Sequence, residues 1–163
     1  MKIYITLLLY VFLTCTSFAK TYNQEEDSKQ STQERNAWLK QKFSGQHQKL
    51  IPIVAVADMF YACNIERKTE PTTYQLNDLI LTMNKNTLAQ KLLLCLGEDS
   101  IKSEVAINFG LKGCFQAQLA HLSVDERQTK MKLVNSAIAS LSSSERQKSL
   151  TQCVTEQAIQ YLK

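Results

Sequence analysis

Four cysteines share one local pattern that limits the chemistry they can do. Each follows a large apolar residue by three positions: Phe60 and Cys63, Leu92 and Cys95, Leu111 and Cys114, Leu150 and Cys153. Residues three apart lie on the same face of a helix, so each cysteine is expected on an apolar face that points into a core. No two cysteines have the Cys-x-x-Cys spacing of redox motifs and zinc sites. The pattern therefore predicts two structural disulfides.

Helix lengths favour one of the three possible disulfide pairings. If the helices alternate up and down, the helices that carry Cys63 and Cys95 run in the same direction, because one descending helix lies between them. Both cysteines are then near the same end of the bundle. Cys114 and Cys153 then lie about 21 Å and about 15 Å down helices that start from a common level. A Cys95–Cys114 bridge would have to span most of a helix length, which exceeds the Cα separation of a disulfide. We expect Cys63–Cys95 and Cys114–Cys153.

The remaining residues give little support to an enzyme. His47 is expected in a polar turn, and His121 lies about 10.5 Å along a helix from Cys114, too far for a thiolate–imidazole pair. The sequence contains no glycine-rich phosphate loop, no His-Glu-x-x-His and no Gly-x-Ser-x-Gly motif. We expect no catalytic residue, no metal and no cofactor. A hydrolase that uses His121 and scattered acids is the enzyme alternative.

Residues 1–19 have the pattern of a secretory signal peptide. Lys2 precedes an apolar stretch at 3–13, and small residues stand at both positions that a signal peptidase reads. The apolar stretch is too short to span a bilayer, and the rest of the sequence has no longer one. A lipoprotein whose mature chain begins at Cys15 is the alternative, although the residue before Cys15 is not the usual Gly or Ala.

The predicted mature chain has 144 residues, with 18 basic and 15 acidic side chains and a net charge of +3. That charge is too small to indicate nucleic-acid binding. An even number of cysteines in an exported chain is typical of disulfides in a periplasmic or secreted protein. We expect a disordered polar tether at 20–30 and a single helical domain at 31–163.

Five Ser/Thr-x-x-Glu/Gln motifs predict helix starts, because the two side chains can satisfy each other's backbone amides. They begin at Ser31, Thr72, Thr87, Ser123 and Ser142. The predicted helices are about 32–44, 50–64, 73–84, 87–97, 100–122, 124–141 and 143–162. The β-branched run 51–57 could instead be a buried strand, but no partner strand is visible. The predicted fold is all-α, a compact antiparallel bundle of about six or seven helices stapled by two disulfides.

Two glycines interrupt an otherwise favourable helix. Gly110 and Gly113 each cost roughly 1 kcal/mol relative to alanine in a helix interior. We expect a close approach of another helix beside Cys114 to compensate. A kink that opens a ligand cleft is the alternative.

Two binding hypotheses remain. The first is a surface for a partner protein, formed by Trp38, Leu39 and Phe43 with basic residues around them, because tryptophan and arginine are enriched in interface hot spots. The alternative is that Trp38 packs into the core. The predicted function is an exported, non-enzymatic, protein-binding accessory factor with a chaperone-, pilotin- or immunity-like role. The alternative is a carrier of a small apolar ligand, in a cavity lined by Met59, Phe60, Met83 and Phe109.

Deletion of residues 20–30 should leave the melting temperature nearly unchanged. The segment has almost no apolar surface to bury. Thermal unfolding of the mature chain with and without the segment, followed by circular dichroism, tests this. A loss of many degrees would show that the segment is part of the fold.

Overall fold

A computed structural model describes residues 33–162. Residues 33–42 are helical and belong to a different compact unit from the chain that begins at Phe43. The predicted signal peptide (1–19) and tether (20–30) lie outside the described residues. They stay predictions, as does the single domain predicted for 31–163.

From Phe43 to residue 162 the described chain contains six helices and no strand. They are α1 (Ser44–Arg67), α2 (Leu76–Leu81), α3 (Lys85–Leu96), α4 (Glu104–Gln118), α5 (Val124–Ser140) and α6 (Ser143–Ile159). The all-α bundle predicted from the sequence is confirmed. The run 51–57 is helical, so the alternative of a buried strand is wrong.

Two of the five predicted capping boxes are present, at the starts of α5 and α6. Ser123 with Glu126 and Ser142 with Glu145 make both reciprocal hydrogen bonds. The motif at Ser31 lies outside the described residues. The motifs at Thr72 and Thr87 do not start helices, and this prediction is wrong for both.

Competing hydrogen bonds explain the two wrong helix starts. Asn84 accepts hydrogen bonds from the backbone amides of Asn86 and Thr87, so α3 begins at Lys85, before the predicted position. Near Thr72, the buried side chain of Asn64 donates to the Thr72 carbonyl and accepts from the Glu70 amide. These bonds hold the chain in a loop, and α2 begins only after it.

The start of α1 also differs from the prediction. The helix begins at Ser44, not near 50, and His47 lies in its first turn. His47 is buried, and its Nε2 lies 2.8 Å from the carbonyl oxygen of Thr155 in α6. Since a carbonyl only accepts, Nε2 carries the proton. The expected polar turn is therefore wrong, because its histidine packs against another helix.

The two disulfides have the predicted pairing. Cα atoms are 6.2 Å apart in Cys63–Cys95 and 6.3 Å apart in Cys114–Cys153. The first bridge joins the C-terminal ends of α1 and α3. Arg67 reinforces this junction by donating to the carbonyls of Cys95 and Leu96, which have no partner within their own helix.

The glycines of α4 permit a close crossing of α1. A Cβ atom built on Gly113 would lie 2.2 Å from the backbone oxygen of Asp58, and one on Gly110 would lie 2.8 Å from a methyl of Leu150. The close approach predicted from these glycines is present. Its partner at Gly113 is α1, whereas the disulfide beside it leads to α6. The helix is uninterrupted through both glycines.

Gly113→Ala should lower the free energy of unfolding by about 1–3 kcal/mol. The new methyl group meets backbone atoms of α1, which cannot rotate away as a side chain can. Gly45→Ala is the matched control, because its Cβ would meet nothing within 4 Å, and we expect it to be neutral or to stabilise by about 0.5 kcal/mol. Urea unfolding of both variants tests this, and equal stability of the two would contradict the close crossing.

Candidate functional site

An open groove lies between the N-terminal halves of α1 and α3. Its volume is about 510 Å³. It is lined by Gln48, Lys49, Pro52, Ile53 and Val56 from α1 and by Lys85, Leu88 and Ala89 from α3. Leu88 is buried, whereas Pro52 and Ala89 are exposed. The groove therefore has an apolar floor and apolar walls that solvent can reach.

The rim of the groove is positively charged. Lys49 stands on the α1 wall and Lys85 on the α3 wall, and both are exposed. Neither lysine takes part in an ion pair with any residue between 33 and 162. Helix α3 contains no acidic residue, and α1 contains none before the buried Asp58. No carboxylate from these two helices neutralises the rim.

A second hollow, of about 450 Å³, lies beside the loop that connects α1 to α2. Two of its lining residues bind each other, because Tyr74 donates to Glu70, and Lys91 of α3, outside the lining, lies 2.7 Å from the same carboxylate. These bonds lower the pKa of Glu70, and the bond to Glu70 raises the pKa of Lys91. Glu70, Tyr74 and Asn64 of this hollow are thus engaged in holding the loop, and they offer a ligand less than the groove does.

The predicted partner surface falls in two separate compact units. Trp38 and Leu39 belong to the helical residues 33–42, and Phe43 precedes α1. The Trp38 side chain is 53% exposed, and the Lys42 amine lies 4.7 Å from the centroid of its ring. The surface formed by these three residues stays a prediction.

The residues proposed to line a carrier cavity belong to the packed core. Met59, Phe60 and Phe109 are buried. Met83 is partly buried and packs against the core that contains them. Met59 lies against Gly110, where α4 has no side chain. The open groove is instead formed by residues that the sequence did not single out.

The two histidines do not meet. His121 is exposed, and its Nδ1 lies 2.9 Å from the carbonyl oxygen of Gln118 near the end of α4. His47 is bound to α6. In the part of the chain that the structure describes, no group of three His, Cys, Asp or Glu residues could hold a metal ion. None of the helices there is long and apolar enough to cross a membrane.

Sequence reasoning missed a buried acid, Asp58. Its side chain is fully buried in α1, and Gln157 of α6 donates from Nε2 to its Oδ1 at 3.2 Å. Burial raises the pKa of Asp58 well above its usual value, although the bond from Gln157 lowers it in part. The signal was available, because Asp58 directly follows the apolar run 51–57 on a helix predicted to be part of the core.

Two unsatisfied oxygens indicate how Asp58 is accommodated. Asp58 Oδ2 and Gln157 Oε1 are both buried and have no hydrogen-bond donor among the described residues. A proton on Oδ2 supplies a donor that Gln157 Oε1 can accept, which would satisfy both atoms at once. With that proton Asp58 would be a neutral structural group, and no cation of the described chain forms an ion pair with it.

Asp58→Asn should remove a pH dependence of stability. Because the folded pKa of Asp58 is raised, the unfolded state loses its proton first, and the wild-type free energy of unfolding falls as pH rises towards the folded pKa. The slope from this one group approaches about 1.4 kcal/mol per pH unit. The asparagine can make both hydrogen bonds to Gln157 at every pH.

Urea unfolding at intervals between pH 4 and pH 8 measures this difference. The advantage of Asp58→Asn over the wild type should be smallest near pH 4 and should grow with pH. Asp58→Ala serves as a control that leaves Gln157 without a partner, and we expect it to be destabilised throughout. Parallel pH profiles for the wild type and Asp58→Asn would show that Asp58 is ionised in the folded state.

A scan against protein-family models, a search of curated proteins and a search of solved structures found no match to this chain. A function for it has to be argued from its own residues.

Proposed function

We propose that this protein is an exported, non-enzymatic accessory factor that works by binding, and that the groove between α1 and α3 is its binding site. The observation that carries the proposal is the groove itself, which is apolar and open and is bordered by two lysines that form no ion pair with any described residue. Its volume falls in the range of about 300–1,000 Å³ typical of ligand sites. The two disulfides favour an oxidising compartment, which supports a periplasmic or secreted location.

The dimensions of the groove favour a small apolar ligand over a whole protein surface. Eight residues line it, whereas a stable protein interface takes roughly 20–30 residues from each partner. We therefore place the role of carrier first. The ligand would lie along α1 and α3 at the surface, and not among Met59, Phe60 and Phe109.

A protein-binding role is the second candidate. It is supported by several large apolar side chains that solvent reaches, including Leu94 at 77% and Val124 at 70% exposure. A chaperone-, pilotin- or immunity-like factor would use such side chains in a partner interface. Trp38, Leu39 and Phe43 remain the residues predicted for it.

Extraction of the purified protein distinguishes the two candidates. We expect organic extraction followed by mass spectrometry to recover an apolar molecule from the wild type. Ala89→Trp fills the groove and should lose that molecule, whereas Gln90→Trp, the adjacent exposed position on α3, should retain it. The same three proteins serve as baits in a pulldown from the compartment in which they are expressed.

Two results would contradict the carrier. One is an extract whose content is the same for the wild type and Ala89→Trp. The other is an empty extract from all three proteins together with one stoichiometric protein partner. The second result would favour the protein-binding candidate.

A further inference from the structure

We infer that the groove binds an anionic amphiphile, namely an unbranched alkyl chain that ends in a carboxylate. The inference rests on the proposed function, because it names the ligand class of the same site. The alkyl chain lies on the apolar floor, and the carboxylate lies at the rim between Lys49 and Lys85.

The apolar part of the groove suits an alkyl chain. Pro52, Ile53 and Val56 form one wall and Leu88 and Ala89 the other. The wall from Gln48 to Val56 extends for about 12 Å along α1. Apart from Gln48, its polar lining consists of the two lysines at the rim. An aliphatic chain therefore loses no hydrogen bonds when it enters, and each fully buried methylene tightens binding by up to about fourfold.

The charged part of the groove selects an anion. Lys49 and Lys85 line the groove from different helices, and in the inferred complex one carboxylate at the rim interacts with both. Neither amine is engaged by an acidic side chain of the described chain. A neutral ligand would leave both charges uncompensated, and a cationic ligand would be repelled.

The start of α3 adds to this positive potential. Helix N-termini carry a partial positive charge, which acidic residues in the first turn usually offset. Helices α2, α4, α5 and α6 each have such an acid. Of the six helices, the two that form the groove have none. Lys85 is the first residue of α3, so the N-terminus of that helix lies at the groove without an acidic residue to offset it.

Three probes of equal chain length test the inference: decanoate, 1-decanol and decyltrimethylammonium, each below its micelle and solubility limits. Binding to the full mature chain with its disulfides intact is followed by NMR chemical shifts of the amides of Val56, Leu88 and Ala89. We expect decanoate to bind at least about tenfold more tightly than the other two probes. Raising the ionic strength should weaken decanoate binding and leave decanol binding unchanged.

Three variants locate the effect. Lys49→Gln with Lys85→Gln should weaken decanoate binding about tenfold and leave decanol binding unchanged. Lys130→Gln with Lys132→Gln, an equal change of charge at two exposed lysines of α5, should alter neither. Ala89→Trp should abolish binding of every probe. Circular dichroism checks that each variant is folded, and surface lysine substitutions leave the core intact.

The outcomes separate this inference from the proposed function. If decanol and decyltrimethylammonium bind as tightly as decanoate, or if the double variant at Lys49 and Lys85 has no effect, the anionic ligand class is wrong and the groove remains a binding site. If no probe shifts the groove amides and no protein partner depends on the groove, or if Ala89→Trp binds all probes normally, both are wrong. If no probe binds but the wild type captures a stoichiometric protein that Ala89→Trp does not, the inference of an amphiphilic ligand is wrong and the groove binds a protein partner.

Discussion

The crossing of α4 over α1 at Gly113 is the constraint on which the rest of the bundle depends. The backbone of Asp58 occupies the space where a side chain at Gly113 would lie, so the two helices approach as closely as their backbones allow. This approach brings Cys114, the next residue of α4, into the core, where it bridges to Cys153 of α6. Helix α6 is thereby held against the same region of α1, and Gln157 reaches Asp58. The close crossing excludes water from Asp58, and the absence of water favours its neutral form.

The groove arises because different parts of the α1 surface contact different helices. One part of α1 is occupied by α4 and α6, which leaves α3 to pack along another part. At the C-terminal ends of α1 and α3, the Cys63–Cys95 bridge and the hydrogen bonds from Arg67 hold the two helices together. Towards the N-terminal ends no comparable bridge exists among the described residues. The facing positions there include the short side chains of Pro52 and Ala89, while the lysine chains extend to the rim, so apolar surface remains accessible.

Much of the fold was predictable, because it depends on local patterns and on helix length. The capping motifs at Ser123 and Ser142 placed two helix starts correctly, since both of their hydrogen bonds are made within one turn. The disulfide pairing followed from the rise per residue, which does not depend on side-chain detail. The failure at Thr87 is local, because Asn84 three residues earlier caps the helix instead. The other two failures occurred where a residue outside the motif decided the local structure. Asn64 forms a hydrogen bond with the loop at Thr72, and the carbonyl of Thr155 in α6 accepts one from His47. Neither contact corresponds to a local sequence pattern.

The candidate site could not be predicted for a related reason. Its two walls lie at least 29 positions apart in the sequence, from Val56 to Lys85, and they consist of common residue types in an ordinary amphipathic arrangement. The disulfide prediction placed the ends of α1 and α3 together, which implied that their earlier turns also lie side by side. However, the predicted start of α1 near residue 50 assigned Gln48 and Lys49 to a turn, whereas the helix begins at Ser44. An error of six residues at one boundary therefore removed a basic residue from the wall of the groove. With the observed boundary, Lys49 belongs to the α1 wall as Lys85 belongs to the α3 wall, and the lack of acidic residues in α3 and in α1 before Asp58 becomes visible in the sequence. This local excess of basic residues is the feature from which the preference for an anion is inferred.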